Sequence, residues 1–355
     1  MARKKRKKTK KLFKILSLSV LFFAISLGGY AYYQLNKIKT NKISKSDLEL
    51  GIKPQNQLDS IEKENLKDVI NIALFGTDIG RSKGDVPHSD AIIIATIDPK
   101  HKKIKLSSIM RDTYVTIEGH GQTKITEAYT YGGPELAIKT LNQNFDLNIR
   151  DYATVNFFSL EKVIDILGGI EADIKDYEIK ELNYRIKEVA NLEGKNPTLI
   201  KRTGPQKLNG IQAVAYSRIR KVGNGDYERT ERQRKVLSQL TEKVQNAGVS
   251  KYPTLVSQIL PLVETSMSKI DIVKTGVSVL SSDIKAIDNI RFPLDEFSQG
   301  QIIDHKWFLV PKPDIKTTAE QIQKYIFEDI RPDVPDIRPA DINKTKTDKK
   351  TSKAN

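Results

Sequence analysis

"AIIIATIDPKHKKIKLSSIMRD", residues 91–112, decides the fold. Residues 91–99 are almost continuously apolar and β-branched and close on Asp98-Pro99, the pattern of a central strand buried on both faces. "DPKHKK" (98–103) is a turn signal. The alternation over 103–112 then predicts a third strand returning beside the second. Upstream, "VINIALFGTD" (69–78) reads as the first strand of the set. Downstream, strands are expected at 151–157 and 170–174. Helices are expected at Pro134–Phe145 with Pro134 in the first turn, at Leu160–Leu167 stopped by Gly168-Gly169, and at 206–220 and 227–246. The pattern predicts a mixed α/β domain over 67–246, a central β-sheet flanked by helices. Residues 247–337 read as a C-terminal helical extension of the same unit, with one strand near Ile290–Phe292.

The ends have a different character. The chain has 355 residues and a formal charge of +15. Much of that excess lies in residues 1–14, which carry basic charge only, and in the lysine-rich tail at 338–355. The net charge therefore gives no argument for nucleic acid as a partner; local clusters must carry any anionic one. "ILSLSVLFFAISLGGYAYY" (15–33) is uncharged and long enough to span a hydrocarbon core, with Tyr30, Tyr32 and Tyr33 at its outer end. The basic run before it predicts a cytoplasmic N-terminus and a single-pass anchor in the cell membrane, with the folded domain outside. Residues 34–66 are polar and Lys-rich and read as a stalk; 338–355 read as a disordered tail. There is no cysteine, which excludes disulfides, thiolate zinc sites and cysteine nucleophiles. The four histidines are scattered, so a hard cation held by carboxylates is the metal chemistry left open.

Antiparallel pairing of the first three strands would bring Asp78, Asp90 and Arg111 to one sheet edge. Two carboxylates and an arginine there suit a cation-plus-phosphate site. The same aspartates also suit turns and caps, and the pattern alone leaves both readings open. A second cluster is "YSRIRKVGNGDYERTERQRK" (216–235). On the helix after the Gly223-Asn224-Gly225 turn, the apolar stripe Val236, Leu237, Leu240, Val244 continues backwards through Arg232 and Gln233 to Arg229. These arginines are expected to face inward, where a buried charge needs an anion. Arg218 and Arg220 would project beside them, whereas Arg234 and Lys235 should face water. Guanidinium forks match phosphate oxygens bidentately, so the choice of arginine points to a polyanion. Ion pairs with Asp226, Glu228 and Glu231 are the competing explanation.

The ordered motifs "NIALFGTD", "HSDAIIIATIDPKHKKIKLSSIMRDTYV", "KITEAYTYGGPELAIKTLN", "VNFFSLEKVIDILGGI", "LNGIQAVAYSRIRK" and "DYERTERQRKVL" resemble those of the LytR-CpsA-Psr proteins over about 70–245. That resemblance implies a Mg²⁺-dependent phosphotransferase. It would move an anionic glycopolymer, teichoic acid or capsule, from a polyprenyl-diphosphate carrier to the C6 hydroxyl of muramic acid in peptidoglycan. It implies that Asp78 and Asp90 are associated with Mg²⁺, and that Arg111, Arg218, Arg220, Arg229, Arg232 and Gln233 hold the pyrophosphate. Asp78, Asp90 and Asp112 are the candidates for accepting the hydroxyl proton, with Arg111 beside them. One departure stands out: His88-Ser89-Asp90 replaces the Arg-Ser-Asp often found in the family, so Arg81 or a protonated His88 would take over that arginine's role. The lipid needs an apolar tunnel, for which Val155, Phe157, Phe158, Val163, Ile164 and Leu167 are candidates, each of them equally an ordinary core residue. A lipid-carrier phosphatase using water as the acceptor and a non-enzymatic transcription attenuator are the alternatives.

Overall fold

The computed structural model describes residues 33, 36–54, 69–77, 87–248, 251–284 and 286–332. The proposed span at 15–33, apart from Tyr33, the residues Asp78 and Arg81, and the tail at 338–355 all lie outside them. Among the described residues, no helix is long and apolar enough to cross a membrane.

In chain order the strands begin with β1 (Lys39–Thr40), β2 (Ile70–Thr77), β3 (Ser89–Asp98), β4 (Lys103–Ile109), β5 (Tyr114–Ile117) and β6 (Gly121–Lys124). Helix α1 (Thr126–Phe145), β7 (Asp151–Asn156), α2 (Phe157–Ile166), β8 (Ile170–Ile174), α3 (Ile179–Leu192), β9 (Gly204–Leu208), α4 (Gly210–Ser217) and α5 (Asp226–Asn246) follow. The C-terminal part adds α6 (Tyr252–Ile259), β10 (Glu264–Thr265), α7 (Lys269–Ser281), β11 (Ala286–Phe292), β12 (Ser298–Ile303), β13 (Lys306–Pro311) and α8 (Ile315–Glu328).

A seven-stranded mixed sheet runs β1-β10-β7-β2-β3-β4-β11. The expected antiparallel meander is present: Ile72 opposes Ala95 across β2–β3, and Ile92 opposes Ile109 across β3–β4. β3 is buried on both faces. Ile92 and Ile94 pack with Phe75, Ile138, Leu141 and Tyr325 on the side of α1 and α8, while Ile93 packs with Leu106 and Leu237 on the side of α5. A second core holds α2, α3 and α4 against the β8–β9 ribbon through Ile164, Leu182, Ile186 and Val214.

Four expectations are corrected. The stalk reading of 34–66 fails for its first part: β1 pairs with β10, and Leu50 and Ile52 are buried in the main core. Two apolar residues are too few to show as a periodic pattern, yet Asn142 fastens that turn by donating Nδ2 to the Leu50 carbonyl at 2.8 Å. The helical extension at 247–337 is instead integral to the sheet: β10 pairs with β7, and β11 runs parallel to β4 and covers what would otherwise be an open edge. Helix α1 begins at Thr126, not Pro134; the pair Gly132-Gly133 breaks it, with Gly133 at φ 63°, and Pro134 starts its second part. Residues 206–208 are strand, because Asn209 caps α4 by accepting from the Gln212 amide and so fixes the helix start at Gly210. The chain leaves that helix at Arg218, before the expected end at 220.

Candidate active site

One edge of the sheet gathers the chemistry. β2 and β7 run parallel with Thr77 opposite Asn156, so both end there; β3 begins there at Ser89 and β4 ends there before Arg111. Asn156 caps α2 by accepting from the Ser159 amide at 2.8 Å, which sets Phe157 at the same edge. Gly76 permits the close β2–β3 approach beside a register shift; a Cβ there would lie 3.0 Å from that of Ala91.

Two cavities meet at this edge. The polar one, of about 360 Å³, is lined by His88, Asp90, Phe157, Gln233, Lys221 and the arginines 111, 185, 218, 220 and 229. Among its described lining residues Asp90 is the single carboxylate. The apolar one, of about 230 Å³, runs between sheet and helices past Leu74, Ala153, Val155, Leu160, Leu237 and Leu240. Asp90, Phe157 and Gln233 line both.

Three of the arginines, Arg111, Arg218 and Arg185, have identifiable supports. Arg111 is ion-paired with Asp90 through Nη1. Arg218 is buried, donates Nη2 to Glu188 at 2.9 Å, and rests its guanidinium 4.6 Å from the Phe157 ring centre. Arg185 donates to Glu181 and to Glu188 at 2.8 Å each. Glu188 thus bridges Arg185 and Arg218. Burial works to raise its pKa, but the two guanidiniums outweigh this and hold its carboxyl below the ordinary value. The Gly223-Asn224-Gly225 turn then launches α5; Gly223 sits at φ 63°, where a side chain would be strained, and a Cβ there would meet the Glu228 carboxylate. On α5, Arg229 and Gln233 face the polar cavity, and Val236, Leu237 and Leu240 continue that face along the apolar one.

The structure brings Asp90, Arg111, Arg218, Arg220, Arg229 and Gln233 together. It does not bring Arg232 or Asp112 to the cavity. Arg232 turns to the other side of α5, buried, where Nε donates to Glu178 at 2.8 Å, Nη2 to Glu228 at 2.6 Å and Nη1 to the Ile219 carbonyl at 3.1 Å. The stripe argument placed it wrongly because Arg232 lies at the margin of that stripe, where Glu178 and Glu228 draw its guanidinium away from the cavity. Asp112 is buried under Lys124, whose Nζ lies 2.6 Å from Oδ1, and its backbone carbonyl accepts from the Leu309 amide. Arg234 does not face water as expected: it is half-buried, whereas Lys235 is exposed. His88 does line the cavity, with Nδ1 2.8 Å from the Thr130 hydroxyl. Of the tunnel candidates, Val155 and Phe157 line the apolar cavity, while Val163 and Ile164 belong to the second core.

Sequence reasoning missed Arg185 and Lys221. Arg185 rides on α3, whose Leu182, Ile186 and Val189 carry a helical spacing that was there to be read. The donor set fits a hard cation in part. Asp90 offers a carboxylate where a diphosphate would add its own oxygens, the pattern Mg²⁺ favours. The three-residue carboxylate and histidine cluster among the described residues, Asp98, His101 and Asp329, lies elsewhere and is already neutralised by Lys105 and Lys103.

Comparison with known proteins agrees with this architecture. A polyisoprenyl-teichoic acid–peptidoglycan teichoic acid transferase, TagT of Bacillus subtilis, is 30% identical over 297 residues, 81% of this chain and 87% of its own. TagU of Enterococcus faecalis, which bears the same transferase name, is 32% identical over 282 residues, 78% of this chain and 85% of its own. The solved structure of the LytR-CPS2A-psr family protein YwtF (TagT) with bound octaprenyl pyrophosphate lipid superposes with a TM-score of 0.56 at 23% identity. It covers 81% of this chain and 99% of that one, and so shares the fold. The family model for LytR_cpsA_psr matches residues 26–324, and the chain belongs to the LytR-CpsA-Psr family.

Proposed function

We propose that this protein transfers an anionic glycopolymer from a polyprenyl-diphosphate carrier to peptidoglycan. The observation that carries this reading is the junction of the two cavities. A diphosphate among Arg111, Arg218, Arg220 and Arg229 would place its lipid, past Phe157 and Gln233, in the apolar space under α5. The transferase names of relatives at 30% and 32% identity support the same reaction.

In the reaction, the C6 hydroxyl oxygen of muramic acid attacks the phosphorus that carries the polymer. A new P–O bond forms as the bond from that phosphorus to the bridging oxygen breaks. Polyprenyl phosphate leaves with the electron pair, and the hydroxyl proton passes to Asp90. Arg111, ion-paired with Asp90, fixes the carboxylate and presents its remaining N–H groups to the phosphates. Arg218 is held by Glu188 and Phe157 and needs little reorganisation as charge shifts to the leaving phosphate. Asp90, with Asp78, would hold Mg²⁺, which when bound neutralises phosphate charge. His88 stands where the arginine of the family pattern is expected and faces the same cavity. The N-terminal run 15–33 would anchor the chain in the membrane, where the lipid carrier resides.

The test is polymer transfer by the full-length protein. Arg111→Ala and Arg220→Ala are each expected to lower attachment to peptidoglycan about 100-fold. Undiminished attachment in both variants would sink the proposal. Release of polyprenyl phosphate without attachment, at the wild-type rate of lipid turnover, would favour the phosphatase instead.

A further inference from the structure

Across α5 from the polar cavity lies a second one, of about 520 Å³. It is bounded by the N-terminal half of α5, β11 and the turn before α3. Its lining carries Lys175, Arg232, Arg234, Lys235 and Arg291 against Asp173, Glu178, Glu228, Glu231 and Asp295. Most of these charges are settled locally. Lys175 pairs with Asp173, Arg232 with Glu178 and Glu228, and Arg291 Nη2 with Asp295 at 2.7 Å.

Arg234 and Arg291 are answered only in part, since the pair with Asp295 uses Nη2 of Arg291 and leaves Nη1 over. Arg234 Nε and Arg291 Nη1 are both buried N–H donors without an acceptor. The bond from Arg234 Nη1 to Asn289 Oδ1 is long, at 3.5 Å. Arg291 lies 4.2 Å from the Tyr227 ring centre, which fixes its plane. Burial pushes the Arg234 pKa down to about 10; the Arg291 guanidinium adds to this, exposed Glu231 opposes it, and Arg331 lowers it further. Arg331 is itself occupied by Asp288 and the Asn289 carbonyl. Two like charges lining one cavity, each with a buried donor unsatisfied, are costly to keep unless an acceptor joins them. A tetrahedral oxyanion has enough oxygens to take both donors at once. Tyr216 and Tyr227, also on the lining, complete a polar wall.

We propose that Arg234 and Arg291 form a second anion site that binds a phosphate oxyanion, separate from the polar cavity. The phosphate comes either from a phosphodiester along the glycopolymer or from free phosphate. The first source rests on the transferase reading above, whereas the site itself does not.

The test is NMR of the full-length protein labelled with ¹⁵N-arginine. The Arg234 Nε–H signal is assigned by its loss in Arg234→Met, and the protein is titrated separately with inorganic phosphate and with a glycerol phosphate trimer. Because the readout is local, it does not depend on occupancy of the polar cavity. The signal is expected to shift saturably with at least one of the two. Arg291→Met should weaken that binding about tenfold or more, the loss of one charge-assisted hydrogen bond. Saturation by the trimer assigns the polymer as source, and saturation by phosphate alone assigns free phosphate. Arg234→Met should leave Tm equal to or above that of the wild type, since it removes a poorly partnered buried charge. No shift with either probe, or a Tm several degrees lower in Arg234→Met, would overturn the proposal. The first would leave no oxyanion site, and the second would make Arg234 a structural residue. Loss of transfer in Arg220→Ala with this binding intact would separate the two sites.

Discussion

Arg220 and Arg232 come from one twenty-residue segment and do opposite work. Arg220 is exposed at the rim of a cavity whose described lining includes five arginines, one lysine and one carboxylate. Arg232, on the far side of α5, is buried between Glu178 and Glu228. The difference teaches that a cluster of arginines is not one feature. Burial and placement, not proximity in sequence, decide which guanidinium holds the fold and which lines a cavity.

The contrast can be broken at either end. The largest effect is expected for Arg232→Met, which strands the buried Glu178 carboxylate and should cost about 3–5 kcal/mol of stability. Chemical denaturation of wild type and variant measures it, and a near-neutral result would remove Arg232 from its structural role. Arg220→Ala should shift the denaturation curve far less than Arg232→Met does and lower transfer about 100-fold, the scale of losing a preorganised charge at a reacting phosphate. Transfer kinetics at saturating carrier check this.

A smaller effect tests the apolar arm. Ala153→Leu adds bulk to the lining of the apolar cavity and should weaken use of a long polyprenyl carrier about tenfold. A short-chain carrier should be used as before, so the ratio of kcat/KM for the two lipids is the measurement. The smallest effect concerns pH. The Glu188 pKa is depressed in the folded protein, so its contribution is present above its unfolded pKa and lost as pH falls through the folded value. Tm should therefore drop on acidification below the ordinary glutamate range, and Glu188→Gln should flatten part of that drop.

The sheet was largely legible. The apolar run at 91–99, its turn and the alternating return fixed three neighbouring strands and brought Asp90 to Arg111. Most of the polar cavity was legible too, since Arg229 and Gln233 follow from the stripe on α5. Arg232 was not, because only the position of Glu178, fifty-odd residues earlier in sequence, shows on which side of the helix its charge is answered. Leu50 was misjudged, and the strand expected near Ile290–Phe292 was found but not foreseen as part of the main sheet, for a related reason. Their burial comes from long-range partners in α1 and β4, which no local pattern announces. Arg185 became visible only once Glu188 tied it to Arg218.

A crystal structure of the protein with a polyprenyl diphosphate and Mg²⁺ tests the central claim most directly. The account predicts a diphosphate bound by Arg111, Arg218, Arg220 and Arg229 near Asp90, with the lipid between the sheet and α5 alongside Val155 and Leu240. A diphosphate seated instead on Arg234 and Arg291, or a lipid lying outside the apolar cavity, would contradict it.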